Sequence, residues 1–292
     1  MNDQATGLRD LVESKKYQES AVRNSARVLA VASGKGGVGK TFFSVNFALA
    51  LQKLGRRVLI IDADFGLSNV DVMLGAVPEY NLSHVLKGER DILDIITEGP
   101  LGVRFISGGS GVSDLLTMSD EQLSDIVKQL LRLEDIADII IFDAPAGISP
   151  NVLGIILASA ETLIVTTPEP TSIMDAYALV KTAAGIGDVG RLRLVMNRCE
   201  SQSEGETTMR RVSEIIQRYL KLRSEPFGYI LLDPAVPRAV KQQKPVLLSQ
   251  PKSMAAKNVE AMALKFLNHE EEEGKATGLR RFFDLFLRRK TI

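Results

Sequence analysis

From Val28 to about Leu267, short runs rich in Val, Ile and Leu alternate with segments whose apolar residues recur at helical spacing. The runs at 28–32, 58–62, 103–107, 139–143, 163–167, 192–197 and 229–232 predict strands. The segments at 40–54, 120–133, 172–185, 207–221 and 253–267 predict helices between them. Several strand runs are apolar almost throughout, as expected of strands covered on both faces. This alternation predicts an α/β fold with a doubly wound, mostly parallel sheet and helices on both faces. The pattern changes at the two ends. Residues 1–26 are rich in polar and charged residues, with a short apolar set at Leu8, Leu11 and Val12, and read as a tail with one short helix. Beyond a globular segment at 27–269, an acidic and glycine-containing stretch at 270–278 reads as a solvated linker. A segment of different character, 279–292, follows it.

Composition narrows the function classes. With 45% hydrophobic and 25% charged residues, the chain has the make-up of a packed globular protein. A formal net charge of zero supplies no general attraction to nucleic acid, and direct nucleic-acid binding is not expected. Cys199 is the single cysteine, which excludes an intramolecular disulfide and a cysteine-only metal site; packing is its expected role. No apolar run of membrane-spanning length is present, and the N-terminus lacks a signal-peptide core. The expected location is the cytoplasm.

The clearest chemical signal is GKGGVGKT, comprising Gly34, Lys35, Gly36, Gly37, Val38, Gly39, Lys40 and Thr41, which fits the phosphate-loop pattern between a predicted strand and a predicted helix. Glycines let the backbone N–H groups and the helix N-terminus approach phosphates closely. Lys40 is expected to neutralise the β- and γ-phosphates and Thr41 to ligate Mg²⁺, and Phe42 is counted with the loop among the nucleotide-binding residues. Lys35 has no packing reason to stand among glycines, and is expected to reach a phosphate in another subunit. After the second strand, Asp62 and Asp64 share one side of an extended segment. One of them orders the Mg²⁺ shell or the loop; the other positions the attacking water. Asp143 ends the apolar run 139–142 and fits the acid that holds the metal through water, with the turn Pro145-Ala146-Gly147 beside the γ-phosphate. Asn197, followed by Arg198, offers an amide suited to an adenine edge. Asp233 and Pro234 are expected to close the base pocket.

At the other end, Leu279, Phe282, Phe283 and Phe286 fall at i, i+3, i+4 and i+7, and Leu287 extends the stripe. Arg280, Arg281, Arg288, Arg289 and Lys290 flank it against Asp284. This is a basic amphipathic helix with no obvious core to join, and it is expected to lie reversibly on anionic membrane lipid at the inner face of the cell membrane.

Together KGGVGKT, DADFGLSNVD, DAPAG and EPTSIMDAY resemble the MinD/ParA class of deviant Walker A ATPases. Within that class DQATGLR at 3–9, PEPTSIMDAYALVK and the amphipathic C-terminus resemble the FlhG (FleN) branch, the MinD-like regulators of flagellar number and placement. The resemblance implies a P-loop NTPase fold, Mg²⁺-dependent ATP hydrolysis, a face-to-face ATP dimer in which Lys35 crosses to the partner's phosphates, and membrane attachment of that dimer. It also implies a partner GTPase, FlhF, activated through Gln4, Leu8 and Arg9. Further flagellar partners, a transcriptional regulator or a switch protein, stay open. A division MinD shares the chemistry but is expected to begin near its first strand. A ParA-type partition protein would be more basic, an iron–sulfur reductase would need more cysteines, and a scaffold would not need every part of a phosphate site.

Overall fold

In the computed structural model, residues 26–64, 69–108, 120–268 and 278–287 are described. The chain forms β1 (Arg27–Ser33), α1 (Lys40–Lys53), β2 (Val58–Asp62), α2 (Val70–Leu74), α3 (Leu82–Leu86), β3 (Thr97–Glu98), β4 (Arg104–Ser107), α4 (Asp120–Leu131) and β5 (Ile139–Ala146). It continues through α5 (Pro150–Ala158), β6 (Glu161–Thr166), α6 (Pro170–Ile186), β7 (Arg191–Cys199), α7 (Gln202–Leu220), β8 (Ser224–Leu231), α8 (Ala235–Lys241), α9 (Val246–Ser249), α10 (Met254–Asn268) and α11 (Leu279–Leu287). One eight-stranded sheet has the order β3-β4-β2-β5-β1-β6-β7-β8. Its pairings are parallel except for β3 against β4.

Alternating side chains of the central strands feed two cores, as strand geometry requires. Leu29, Val31, Ile60 and Ile141 pack with α1 and α10. Val28, Ala30, Leu59, Ile61, Ile140 and Phe142 form the other core with α5, α6, α7 and α11. Helix α1 has no polar face because it is covered by the sheet on one side and α10 on another; Phe43 and Phe47 stack within it, and Phe47 meets Phe266 edge-on. The glycine-rich loop therefore leaves β1 and enters a helix fixed from several directions.

Two expectations change. The last strand begins at Ser224, since Pro226 and Gly228 break the apolar run without breaking the pairing to β7. The C-terminal helix does have a core to join. Leu279, Phe282, Phe283 and Phe286 are buried against a surface that includes Ile61, Leu130, Phe142 and Ile155. The Leu279 amide donates to Glu134 Oε1, capping the start of α11. Solvent is left to Arg280, Arg281 and Asp284. Among the described residues no helix is long and apolar enough to cross a membrane.

Candidate nucleotide-binding site

The carboxyl ends of β1, β2, β5 and β7 bring the expected residues to one edge of the sheet, where open α/β folds hold ligands. Between β1 and α1 the loop turns through Gly37 and Gly39, at φ 79° and 93°. Both angles lie in the left-handed region that side chains resist. A Cβ on Gly39 would also stand 2.2 Å from Asn197 Nδ2, and one on Gly34 would stand 2.2 Å from the Asp175 backbone. Gly37 is therefore required by conformation, Gly34 by close approach and Gly39 by both. The N-terminus of α1 carries no side-chain cap and no acid in its first turn, so its leading N–H groups face an anion-ready loop.

Asp143 sits at the base of this loop, fully buried. Its Oδ2 pairs with Lys40 Nζ at 2.7 Å and accepts from Thr41 Oγ1 at 2.7 Å. Its Oδ1 accepts from Ser44 Oγ at 2.6 Å. A buried carboxylate is costly without such partners, and here Lys40 supplies the countercharge. A hydroxyl beside a carboxylate is a hard oxygen donor set of the kind Mg²⁺ takes, with phosphates and waters completing its shell. Among the described residues no cluster of three or more His, Cys, Asp or Glu could hold a metal ion.

Asp62 and Asp64 separate into different roles. Asp62 is buried and accepts at Oδ1 from the Asp64 amide and at Oδ2 from the Asn69 and Val70 amides, so it ties down the loop after β2. Burial first, and then the nearby Asp143 carboxylate, push its pKa up to about 6. Asp64 is half-exposed beside it. Lys35 lies at the mouth of the loop, with Nζ 3.2 Å from both Glu169 Oε2 and Thr171 Oγ1. Lys35 is thus held by the segment that opens α6 of its own chain.

Expected base contacts have other engagements in this structure. Asn197 is buried and donates to the Val38 carbonyl at 2.7 Å while accepting from the Arg198 amide at 2.9 Å, so both ends of its amide are used within the loop. Arg198 itself has φ 58° and an exposed side chain. Asp233 accepts from the amides of Ala235 and Ala255, joining the starts of α8 and α10, and Pro234 caps α8. Cys199 is buried, its thiol pushed up to about 12 by burial. Gln4, Leu8 and Arg9 lie outside the described residues, as does the side chain of Leu287.

Sequence reasoning missed Ser44, Glu169 and Thr171. Ser44 was readable in principle, because four residues after Lys40 places it on the same helix face.

The model of the ParA family, described as "NUBPL iron-transfer P-loop NTPase", matches residues 24–267. The chain is 38% identical over 239 residues to the "Antiactivator FleN" of Pseudomonas aeruginosa, covering 82% of this chain and 85% of that protein. It is 32% identical over 294 aligned positions to the "Flagellum site-determining protein YlxH" of Helicobacter pylori, covering 99% of each. Among solved structures, the MinD cell division protein of Aquifex aeolicus superposes with a TM-score of 0.67 at 28% identity, over 83% of this chain and 97% of that one.

Proposed function

The chain belongs to the ParA family of P-loop NTPases, and from that premise we propose that it is a Mg²⁺-dependent ATPase switch that dimerises with ATP and regulates flagellar number or placement. The observation that carries the chemistry is the convergence of Lys40, Thr41 and Asp143 beneath the glycine loop. On ATP binding, Lys40 leaves Asp143 for the β- and γ-phosphates, while backbone amides of the loop hold the remaining phosphate oxygens. Thr41 Oγ, and Asp143 through water, would hold Mg²⁺, which neutralises charge across the phosphates. Asp64 positions the attacking water for in-line displacement of ADP from the γ-phosphoryl group, and Asp62 keeps Asp64 in place by ordering its loop. Lys35 exchanges Glu169 and Thr171 for the partner subunit's phosphates, which makes the dimer depend on ATP.

The iron-transfer chemistry in the family description does not fit this chain. A cluster needs thiolate ligands, and the whole sequence offers only Cys199, a buried thiol with its pKa raised.

The flagellar role rests on the names of the FleN and YlxH relatives together with the N-terminal DQATGLR segment. In this reading Gln4, Leu8 and Arg9 enter the companion GTPase FlhF and raise its turnover. Helix α11 is stored on the monomer and delivered to anionic lipid by the dimer. The deciding experiment is a pull-down with FlhF, with and without residues 1–26. Capture that depends on those residues is expected; equal capture by the truncated chain would move the contact into the globular part, and no capture by the full chain would favour a division role.

A further inference from the structure

We infer that Ser44 is the positioning residue that holds the Asp143 carboxylate in place for the metal once Lys40 and Thr41 have turned to the nucleotide, an inference that rests on the ATPase reading above. Helix α1 is almost wholly apolar in its buried middle, and a serine there is a poorer helix former than alanine. Asn46, the neighbouring buried polar residue, is accounted for by bonds to the Phe42 carbonyl and the Leu247 amide. The Ser44 hydroxyl is fully buried and has two acceptors in reach: Asp143 Oδ1 at 2.6 Å and the Lys40 carbonyl at 3.2 Å. It has a single proton, and the shorter, charge-assisted bond to Asp143 takes it.

The two oxygens of Asp143 are thus divided. Oδ2 serves Lys40 and Thr41, the two groups that the nucleotide and its metal will claim. Among the described residues Oδ1 serves Ser44 alone, on the side away from that exchange. When Lys40 moves to the phosphates and Thr41 becomes a ligand, Oδ2 loses both partners, and Ser44 is what still fixes the plane of the carboxylate. Oδ2 is then left pointing at the water that Asp143 must hold. A carboxylate free to rotate would hold that water less well, as happens when outer partners of metal sites are removed.

The test measures binding of a fluorescent ADP analogue in EDTA and across a Mg²⁺ titration for the full chain, Ser44→Ala, Ser44→Thr, Asp143→Asn and the Ser44→Ala/Asp143→Asn double variant. Ser44→Ala is expected to raise the Mg²⁺ midpoint about tenfold while leaving affinity in EDTA within about twofold. Ser44→Thr keeps the hydroxyl and should restore the midpoint, which also controls for folding. In the Asp143→Asn background Ser44→Ala should add nothing further, as for residues acting through one another. An unchanged midpoint in Ser44→Ala, an equal loss in EDTA, or a full additional shift in the double variant would each overturn the assignment. Tight Mg²⁺-nucleotide binding without turnover in the unmodified chain would overturn the ATPase reading instead, and the midpoint shift would still decide on Ser44.

Discussion

The ring of Phe142 stacks on that of Phe282, with centroids 4.3 Å apart and planes 14° apart. Phe142 immediately precedes Asp143, so consecutive residues of β5 face opposite layers of the protein. Asp143 reaches the phosphate loop, and Phe142 forms part of the seat of α11. Ile61 and Ala63, flanking Asp62, line the same seat. Any shift at the ends of β2 and β5 when the nucleotide binds is therefore felt directly beneath the C-terminal helix.

This arrangement predicts that α11 can be dislodged from its seat without touching its own residues. Gly154 of α5 leaves room for Phe286, and a Cβ at Gly154 would stand 3.0 Å from that ring. Gly154→Leu should expel Phe286 and speed amide hydrogen exchange across 279–287 by at least about tenfold, the equivalent of a loss near 1.4 kcal/mol in docking free energy. Exchange at the wild-type rate would mean that the helix does not depend on this seat.

Asp62 sets a pH dependence. Its ordinary pKa of 3.8 rises to about 6 in the folded protein, chiefly through burial. Between those values the native state binds more protons than the unfolded one, so stability falls as pH rises from about 4 to 6 and is flat above. The full swing is on the order of 3 kcal/mol at about 1.4 kcal/mol per unit. Asp62→Asn removes the titration, although an amide can accept on only one side and so loses part of the loop's anchoring. Denaturant melts at pH 4.5 and 7 should therefore differ more for the wild type than for Asp62→Asn, with the wild type relatively more stable at the lower pH. Parallel pH profiles would show that Asp62 is not raised.

Much of this site was legible because its chemistry is local in sequence. The loop from Gly34 to Thr41 carries its own turn residues, and Asp143 ends an apolar run whose burial on both faces marks a central strand. What escaped depends on contacts distant in the chain. Asn197 reaches Val38 across 159 residues, a contact that no local pattern announces. Thr97 and Glu98 form too short a strand for any periodicity to show. The spacing in α11 marks an apolar face, but a stripe does not say what covers it; the seat draws on β2, β4, β5, α3, α4 and α5.

Lys35 and Asp64 should separate dimer formation from hydrolysis. In the monomer Lys35 is paired with Glu169, an exposed contact of small energetic weight that a phosphate can displace. Lys35→Ala is expected to bind a non-hydrolysable ATP analogue yet sediment as a monomer. Asp64→Ala is expected to bind ATP, lose at least about 10²-fold in turnover for want of a positioned water, and accumulate as a dimer. A dimer of Lys35→Ala would remove the crossing role. Wild-type turnover in Asp64→Ala would assign the water to another group.

The proposed membrane attachment would be decided by competition for a single apolar face. Leu279, Phe282, Phe283 and Phe286 are buried in the protein, so the residues that would enter lipid are the ones already satisfied in the monomer. Each gains roughly 1.5–3 kcal/mol from leaving water in either place, and the two gains largely cancel. A single tail should therefore favour its seat. The proposed ATP dimer would alter that balance through β2 and β5 and present two tails at once, which would strengthen attachment by about 10² to 10⁴-fold if both reach one surface. Co-sedimentation with anionic vesicles should require ATP and the segment 279–292, and truncation after Lys275 should abolish it. Two further variants distinguish release from insertion: Gly154→Leu frees an intact apolar face and should pellet even without nucleotide, whereas Phe282→Glu frees a helix that lipid also rejects and should stay in solution. Pelleting of Phe282→Glu or of the truncated chain at the wild-type level would exclude α11 as the anchor.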